Sequence, residues 1–189
     1  MTTFGFQIPG FRHAGAPDVE MFDRTLANAL AAEDGGFSSV WVMDHFWQLP
    51  ALGGPDEPIL EAYTLLGALA ARTERVQLGT LVTGVTYRNP AMLAKMVTTL
   101  DVLSGGRAIL TIGAGDYPEE AEGLGLAYPS LRERFEILEE TVRICLRMWA
   151  GERGDERPFE GTHTRLGRAL NVPQSLARPH PPILIAGSG

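Results

Sequence analysis

The chain has 189 residues, 44% of them hydrophobic, a mean hydropathy of -0.01 and a formal net charge of -7. That length allows one substantial core, and the acidic balance argues against nucleic acid or an anionic membrane as a general partner, since both need a positive field. No apolar run approaches the roughly 20 residues of a membrane span, and the opening MTTFGFQIPGF lacks the basic and apolar regions of an export signal, which points to a cytoplasmic protein.

Short β-rich runs alternate with longer stretches of helical period. Phe4–Pro9 is the first predicted strand. A helix from Asp18 to about Gly35 follows, with Val19, Phe22, Leu26 and Leu30 on one stripe and Asp18 as its cap. Ser39–Met43 is nearly all apolar, as a parallel strand covered on both faces should be. The next helix is expected from about Pro58, with Ile59, Ala62, Leu66 and Leu69 facing inward. Val76–Val82 is the third strand, and a third helix starts at Pro90, a residue tolerated in a first turn. Arg107–Ile112 is the fourth strand. The strongest helical pattern, about Ser130 to Trp149, carries Leu131, Phe135, Leu138, Val142, Cys145 and Trp149 as a stripe expected to be buried. The lone Cys145 reads as a core residue rather than a reactive thiol. From Gly151 to Pro182 the rhythm breaks into Gly, Pro and charge around a short extended piece at Phe159–Arg165, read as an insertion. Pro182–Ala186 is the fifth strand.

Strand starts at 4, 39, 76 and 107 recur every 31 to 37 residues, the length of a βα unit. Repeated βα units build a parallel sheet with right-handed crossovers, either an open doubly wound sheet or a barrel, and pattern alone leaves both open. In either, ligands gather at the C-terminal ends of the strands. The exits there are unusual: Asp44-His45-Phe46-Trp47, then Thr80 through Pro90, then Gly113-Ala114-Gly115-Asp116, then Ala186-Gly187-Ser188-Gly189. Each has a bland reading as a turn or a capping pair. Together on one rim they would surround one cavity. Glycines let a flat ring or a phosphate approach the backbone, and a histidine can exchange a proton near neutral pH. No dinucleotide fingerprint, P-loop or nucleophile elbow is present, and four histidines without a cysteine cluster give no familiar metal set, so no metal is expected.

Val40 to Phe46 resembles the second-strand motif of the luciferase-like monooxygenase superfamily, closest to the branch that uses coenzyme F420, a deazaflavin. Thr80 to Pro90 is similar to that branch's third-strand exit. Leu100 to Arg107, Arg132 to Phe135 and Pro181 to Gly187 are similar to later motifs of the superfamily, in the same order.

The resemblance implies an α/β fold of the TIM (β/α)8-barrel type. About five parallel strands are present in a partial domain over 1–189, with an insertion at about 151–182 and the last strands lying beyond this chain. Five strands cannot close an eight-stranded barrel, so these 189 residues alone are expected to be poorly stable. The resemblance further implies that Asp44, His45, Leu81, Val82, Thr83, Gly115, Asp116, Ala186, Gly187, Ser188 and Gly189 line coenzyme F420. His45 and Asp116 are then the groups that move the proton accompanying hydride transfer. Leu81-Val82 falls where the family often has a non-prolyl cis peptide. Trp47 either walls the substrate pocket or packs inside. The implied partner is a small organic substrate, and a homodimer of the full-length form stays open. The competing readings are an FMN-dependent monooxygenase of the same superfamily and a non-catalytic flavin-binding protein or inactive fragment.

Overall fold

The protein is described here by a computed structural model, which covers residues 2–13 and 17–187. In chain order the elements are β1 (Gly5–Ile8), α1 (Met21–Asp34), β2 (Ser39–Val42), α2 (Ala62–Ala70), β3 (Gln77–Thr80), β4 (Thr83–Gly84) and α3 (Pro90–Leu103). They continue with β5 (Ala108–Gly113), α4 (Pro118–Gly123), α5 (Leu131–Met148), β6 (Phe159–Glu160), β7 (Arg165–Leu166) and β8 (Ile183–Ile185).

The main sheet is parallel throughout. β1 pairs β2, β2 pairs β3, and β3 and β4 lie in line along the same side of β5, whose other side takes β8. β3 and β4 thus form one interrupted strand, broken at Leu81-Val82, whose peptide bond is cis. Spatial order follows chain order without a reversal. A doubly wound sheet reverses at its switch point, whereas a (β/α) barrel lays each strand beside the one before it. The sheet is therefore an arc of a barrel, with β1 and β8 at its two edges.

Apolar patterning explains the arc's core. Val40, Val42, Leu78, Leu110 and Ile112 from the strands meet Leu66 and Leu69 of α2 and Leu93 and Val97 of α3, all nearly inaccessible to solvent. Each such side chain contributes about 1.5–3 kcal/mol by leaving water. At the β8 edge Leu184 and Ile185 remain exposed. Among the described residues no helix is long and apolar enough to cross a membrane.

Helix starts follow their caps. Asn89 accepts from Ala91 N and Met92 N with Pro90 in the first turn, and Ser130 with Glu133 forms a capping box for α5. Elsewhere the caps correct the sequence-based boundaries. α2 begins at Ala62 rather than near Pro58, because the Glu61 carboxylate accepts from Tyr63 N and Thr64 N. Among the described residues Asp18 caps nothing: it opens a single 3-10 turn, and Val19 is 86% exposed. Cys145 is buried, and burial pushes its thiol up to about 12, which keeps it inert.

The segment between α5 and β8 carries a small antiparallel pair, β6 with β7. It is fastened to α3 at several points. The Asp101 carboxylate accepts from Leu176 N and Ala177 N at 2.6 and 2.9 Å, and Lys95 Nζ donates to Val172 O at 2.7 Å. Asn171 Nδ2 and Trp149 Nε1 both donate to Thr98 Oγ1.

Candidate functional site

A cavity of about 540 Å³ opens at the C-terminal ends of the strands. That volume lies within the ~300–1,000 Å³ of ordinary small-molecule sites. Its floor is made by the strand ends and exits: Gln7 within β1, Met43 and His45 after β2, Leu81, Val82 and Gly84 along the interrupted strand, Gly113 at the end of β5 with Ala114 to Asp116 after it, and Ala186 with Gly187 after β8. Glycine is favoured at two of these places. A Cβ on Gly113 would sit 3.1 Å from Val82 Cγ2, and Gly115 has φ +82°. Beside Gly115 the buried Thr86 Oγ1 has no hydrogen-bond partner among the described residues.

Of the residues expected to hold a cofactor, His45, Leu81, Val82, Gly115, Asp116, Ala186 and Gly187 are brought together on this cavity. Ser188 and Gly189 lie outside the described residues. Asp44 and Thr83 are placed elsewhere, behind the wall. Asp44 is 1% exposed and receives both guanidinium nitrogens of Arg88, at 2.6 and 2.8 Å. Burial pushes the Asp44 carboxyl up, and the paired charge holds the Arg88 proton more tightly than usual. Arg88 also reaches Glu61 at 2.6 Å and lies over the Tyr63 ring, so the pair ties the β2 exit to the start of α2. Thr83 is fully buried, and its hydroxyl joins Tyr63 OH at 2.8 Å and Thr80 Oγ1 at 2.7 Å. Trp47 is a half-buried packing aromatic and is absent from the cavity lining: its ring fills the space where a Cβ on Gly123 of α4 would stand.

Two residues assigned to the core stand on the rim instead. Leu131 and Phe135 are 56% and 52% exposed and line the cavity, because the first turns of α5 overhang the strand ends before the helix meets the barrel wall. Their spacing shares the stripe of Leu138 and Cys145, which do pack inward, so helical period alone could not separate them.

The central polar cluster was not anticipated. Glu120, in the short α4, is completely buried. Its Oε1 accepts from Phe46 N at 2.6 Å and Trp47 N at 2.7 Å, while its Oε2 faces His45 Nδ1 at 3.1 Å and accepts from the Tyr87 hydroxyl. Burial opposes ionisation of Glu120, but His45, Tyr87 and the two backbone N–H groups outweigh it and hold the carboxyl below its usual range. Burial likewise opposes the imidazolium of His45, yet Glu120, Asp116 and Asp44 raise it above an ordinary histidine. The Tyr87 phenol is pushed up by burial and by the same carboxylate. The arrangement can hold a proton on His45 and return it to a ligand in the cavity. Asp116, exposed at the mouth, adds a second carboxylate.

Residues 2–189 match the family model described as luciferase-like monooxygenase. Over 139 residues the chain is 42% identical to a protein of Kineococcus radiotolerans named F420-dependent glucose-6-phosphate dehydrogenase, a match covering 73% of this chain and 39% of that one. A protein of the same name from Rhodococcus erythropolis is 38% identical over 165 residues, covering 85% and 46%. Among solved structures, the monooxygenase RslO1 of Streptomyces bottropensis superposes with a TM-score of 0.81 at 30% identity, over 99% of this chain and 54% of that one. For the fold alone, the coenzyme F420-dependent tetrahydromethanopterin reductase of Methanopyrus kandleri gives 0.78 at 22% identity, over 99% and 50%. The chain thus spans about two-fifths to one-half of the relatives it matches. With strands ordered as in a (β/α) barrel and a match along nearly its whole length, the chain belongs to the luciferase-like monooxygenase family.

Proposed function

We propose that this chain forms the cofactor-binding part of a coenzyme F420-dependent oxidoreductase, which moves a hydride between the deazaflavin and a small organic substrate. The observation that carries the reading is the cavity itself, where a proton-handling His45 meets a glycine-rich floor built by the strand exits. The residues fit such a group. Gly113 and Gly115 admit a ring close to the backbone, and the buried Thr86 hydroxyl, unpartnered among the described residues, lies behind Gly115. Leu81 and Val82 offer an apolar wall at the break in the third strand, and Phe135 and Leu131 cover the mouth.

The deazaflavin, when bound, supplies a carbon that accepts or donates hydride. The chain supplies orientation and a proton path. As the substrate carbon gives up hydride, His45 takes the proton of the substrate hydroxyl, and the reverse reaction returns it. Asp116, at the cavity mouth, serves as a second proton group. The charge that develops on His45 is met by the buried Glu120 carboxylate. Because the relatives carry that name, glucose-6-phosphate is the first substrate to assay. Activity belongs to a chain that carries the remaining strands of the barrel.

An FMN-dependent monooxygenase of the same family is the second reading, favoured in its monooxygenase chemistry by the 30% identity to the monooxygenase RslO1. Titrating the complete protein with coenzyme F420 and with FMN separates the two. Binding of F420 with hydride transfer to or from a substrate supports the deazaflavin enzyme. Binding of FMN alone, with oxygen uptake dependent on reduced flavin, overturns it.

A further inference from the structure

Glu120 does more than close a turn. It is a fully buried carboxylate with four donors, and two of these, His45 Nδ1 and the Tyr87 hydroxyl, belong to side chains that line the cavity. An ionised carboxylate has no proton to give, so the neutral imidazole must carry its proton on Nδ1 to meet it. Nε2 then keeps its lone pair and has no partner among the described residues.

We propose that Glu120 is the positioning residue that fixes His45 as the Nδ1–H tautomer, leaving Nε2 as the proton acceptor for the substrate. This inference deepens the oxidoreductase reading and rests on it for the identity of the proton's donor, but the tautomer is a property of the protein alone. Every charged or titratable group around the ring bears on it. Glu120 comes from α4, Tyr87 from the loop before α3, Asp116 from the β5 exit and Asp44 from the β2 exit, and the Tyr117 ring stands edge-on at 5.8 Å. Among the described residues only Glu120 and Tyr87 reach Nδ1, and the tyrosine does so at a longer 3.4 Å.

The Glu120→Gln variant discriminates because it keeps the shape and reverses the polarity at one atom. Its Oε1 can still accept from Phe46 and Trp47. Its new NH2 group must donate where Oε2 accepted, so Nδ1 has to become the acceptor and the imidazole proton moves to Nε2. Nitrogen-15 and carbon-13 shifts of labelled histidine, with His45 assigned from its loss in His45→Asn, report both tautomer and titration midpoint in the complete protein without any cofactor. The wild type should show the Nδ1–H tautomer and a midpoint above that of an ordinary histidine. Glu120→Gln should show the Nε2–H tautomer and a midpoint lower by ~1 unit or more, the size expected when an adjacent opposite charge is lost. In the loaded enzyme kcat should fall ~100-fold or more, with KM changed less than about threefold.

A folded Glu120→Gln protein with unchanged tautomer and midpoint overturns the proposal. Should that variant not fold, Tyr87→Phe tests the same geometry from the other side. It removes one donor from the carboxylate, leaves more of its charge for His45 and should raise the midpoint. A fall or no change there also overturns it. Since both titrations need no deazaflavin, a protein that proves to bind only FMN would sink the cofactor reading while leaving this one standing.

Discussion

Glu33 and Glu120 are built alike and lie at opposite ends of the barrel arc. Glu33, in the last turn of α1, takes the backbone N–H groups of Glu74, Arg75 and Val76 just before β3 begins. Glu120 takes those of Phe46 and Trp47 just after β2 ends. Both satisfy donors that burial would otherwise strand. The difference lies in what else they receive. Near Glu33 the further cations are Arg75, whose own ion pair is with the exposed Asp34, and Arg107, whereas Glu120 holds a histidine and a tyrosine that face a cavity. One device thus secures the N-terminal face for stability and arms the C-terminal face for chemistry, the division of labour typical of such barrels.

The largest effect expected from breaking the comparison is that of Glu120→Ala in the complete enzyme. It removes the acceptor of two backbone donors and of His45, so turnover should fall ~10²–10⁴-fold. Each stranded N–H should cost about 1–3 kcal/mol in a urea melt. Glu33→Ala should cost about as much stability, with kcat and cofactor affinity unchanged within about twofold. A comparable loss of turnover from Glu33→Ala would dissolve the distinction.

The pH dependence of stability sharpens the contrast, because the histidine that Glu120 holds carries the opposite sign to the two carboxylates. Burial opposes ionisation of Glu33, but the N–H groups of Val76, Arg75 and Glu74 bring its folded value below the usual one. Its contribution is present above the unfolded value of about 4.3 and is lost as pH falls through the lowered folded value. Glu120 shares that sign. His45, raised in the folded state, contributes fully below an unfolded value of about 6.5 and loses its contribution as pH rises through the folded value. Denaturant melts across pH should therefore show a shallower acid limb for Glu33→Gln and a flatter slope above neutrality for His45→Asn. The smallest effect on stability is expected at the rim. Phe135→Ala, half-exposed over the cavity, should shift the melt by less than about 0.5 kcal/mol while weakening ligand binding.

What the sequence made legible follows from the same division. Parallel strands covered on both faces leave nearly unbroken apolar runs, so Ser39–Val42 and Ala108–Gly113 stood out, and the Gly-rich exits marked the rim. Strand order was illegible, because a βα repeat has the same pattern in an open sheet and in a barrel. Glu120 was hidden for a different reason. It sits in Pro118-Glu119-Glu120-Ala121-Glu122, which reads as a solvated acidic turn, and spacing does not tell which carboxylate points inward. The one available signal was Pro118 opening a helix directly after a strand exit, which brings the next turn back over the rim. Asp44 stands beside His45 at the same exit, and spacing does not tell that its side chain meets Arg88 behind the wall.

The central claim, that the strand exits form a deazaflavin site, is tested most directly at Gly187. This residue lines the cavity and no atom of the described residues comes within 4 Å of where its Cβ would stand, so a large side chain there should fill the site without disturbing the fold. Equilibrium titration of coenzyme F420 into the complete wild-type protein and its Gly187→Trp variant gives the answer. The account predicts saturable binding by the wild type and at least a ~10-fold loss in the variant, about 1.4 kcal/mol, with unchanged melts. Equal affinity in the two proteins would contradict it.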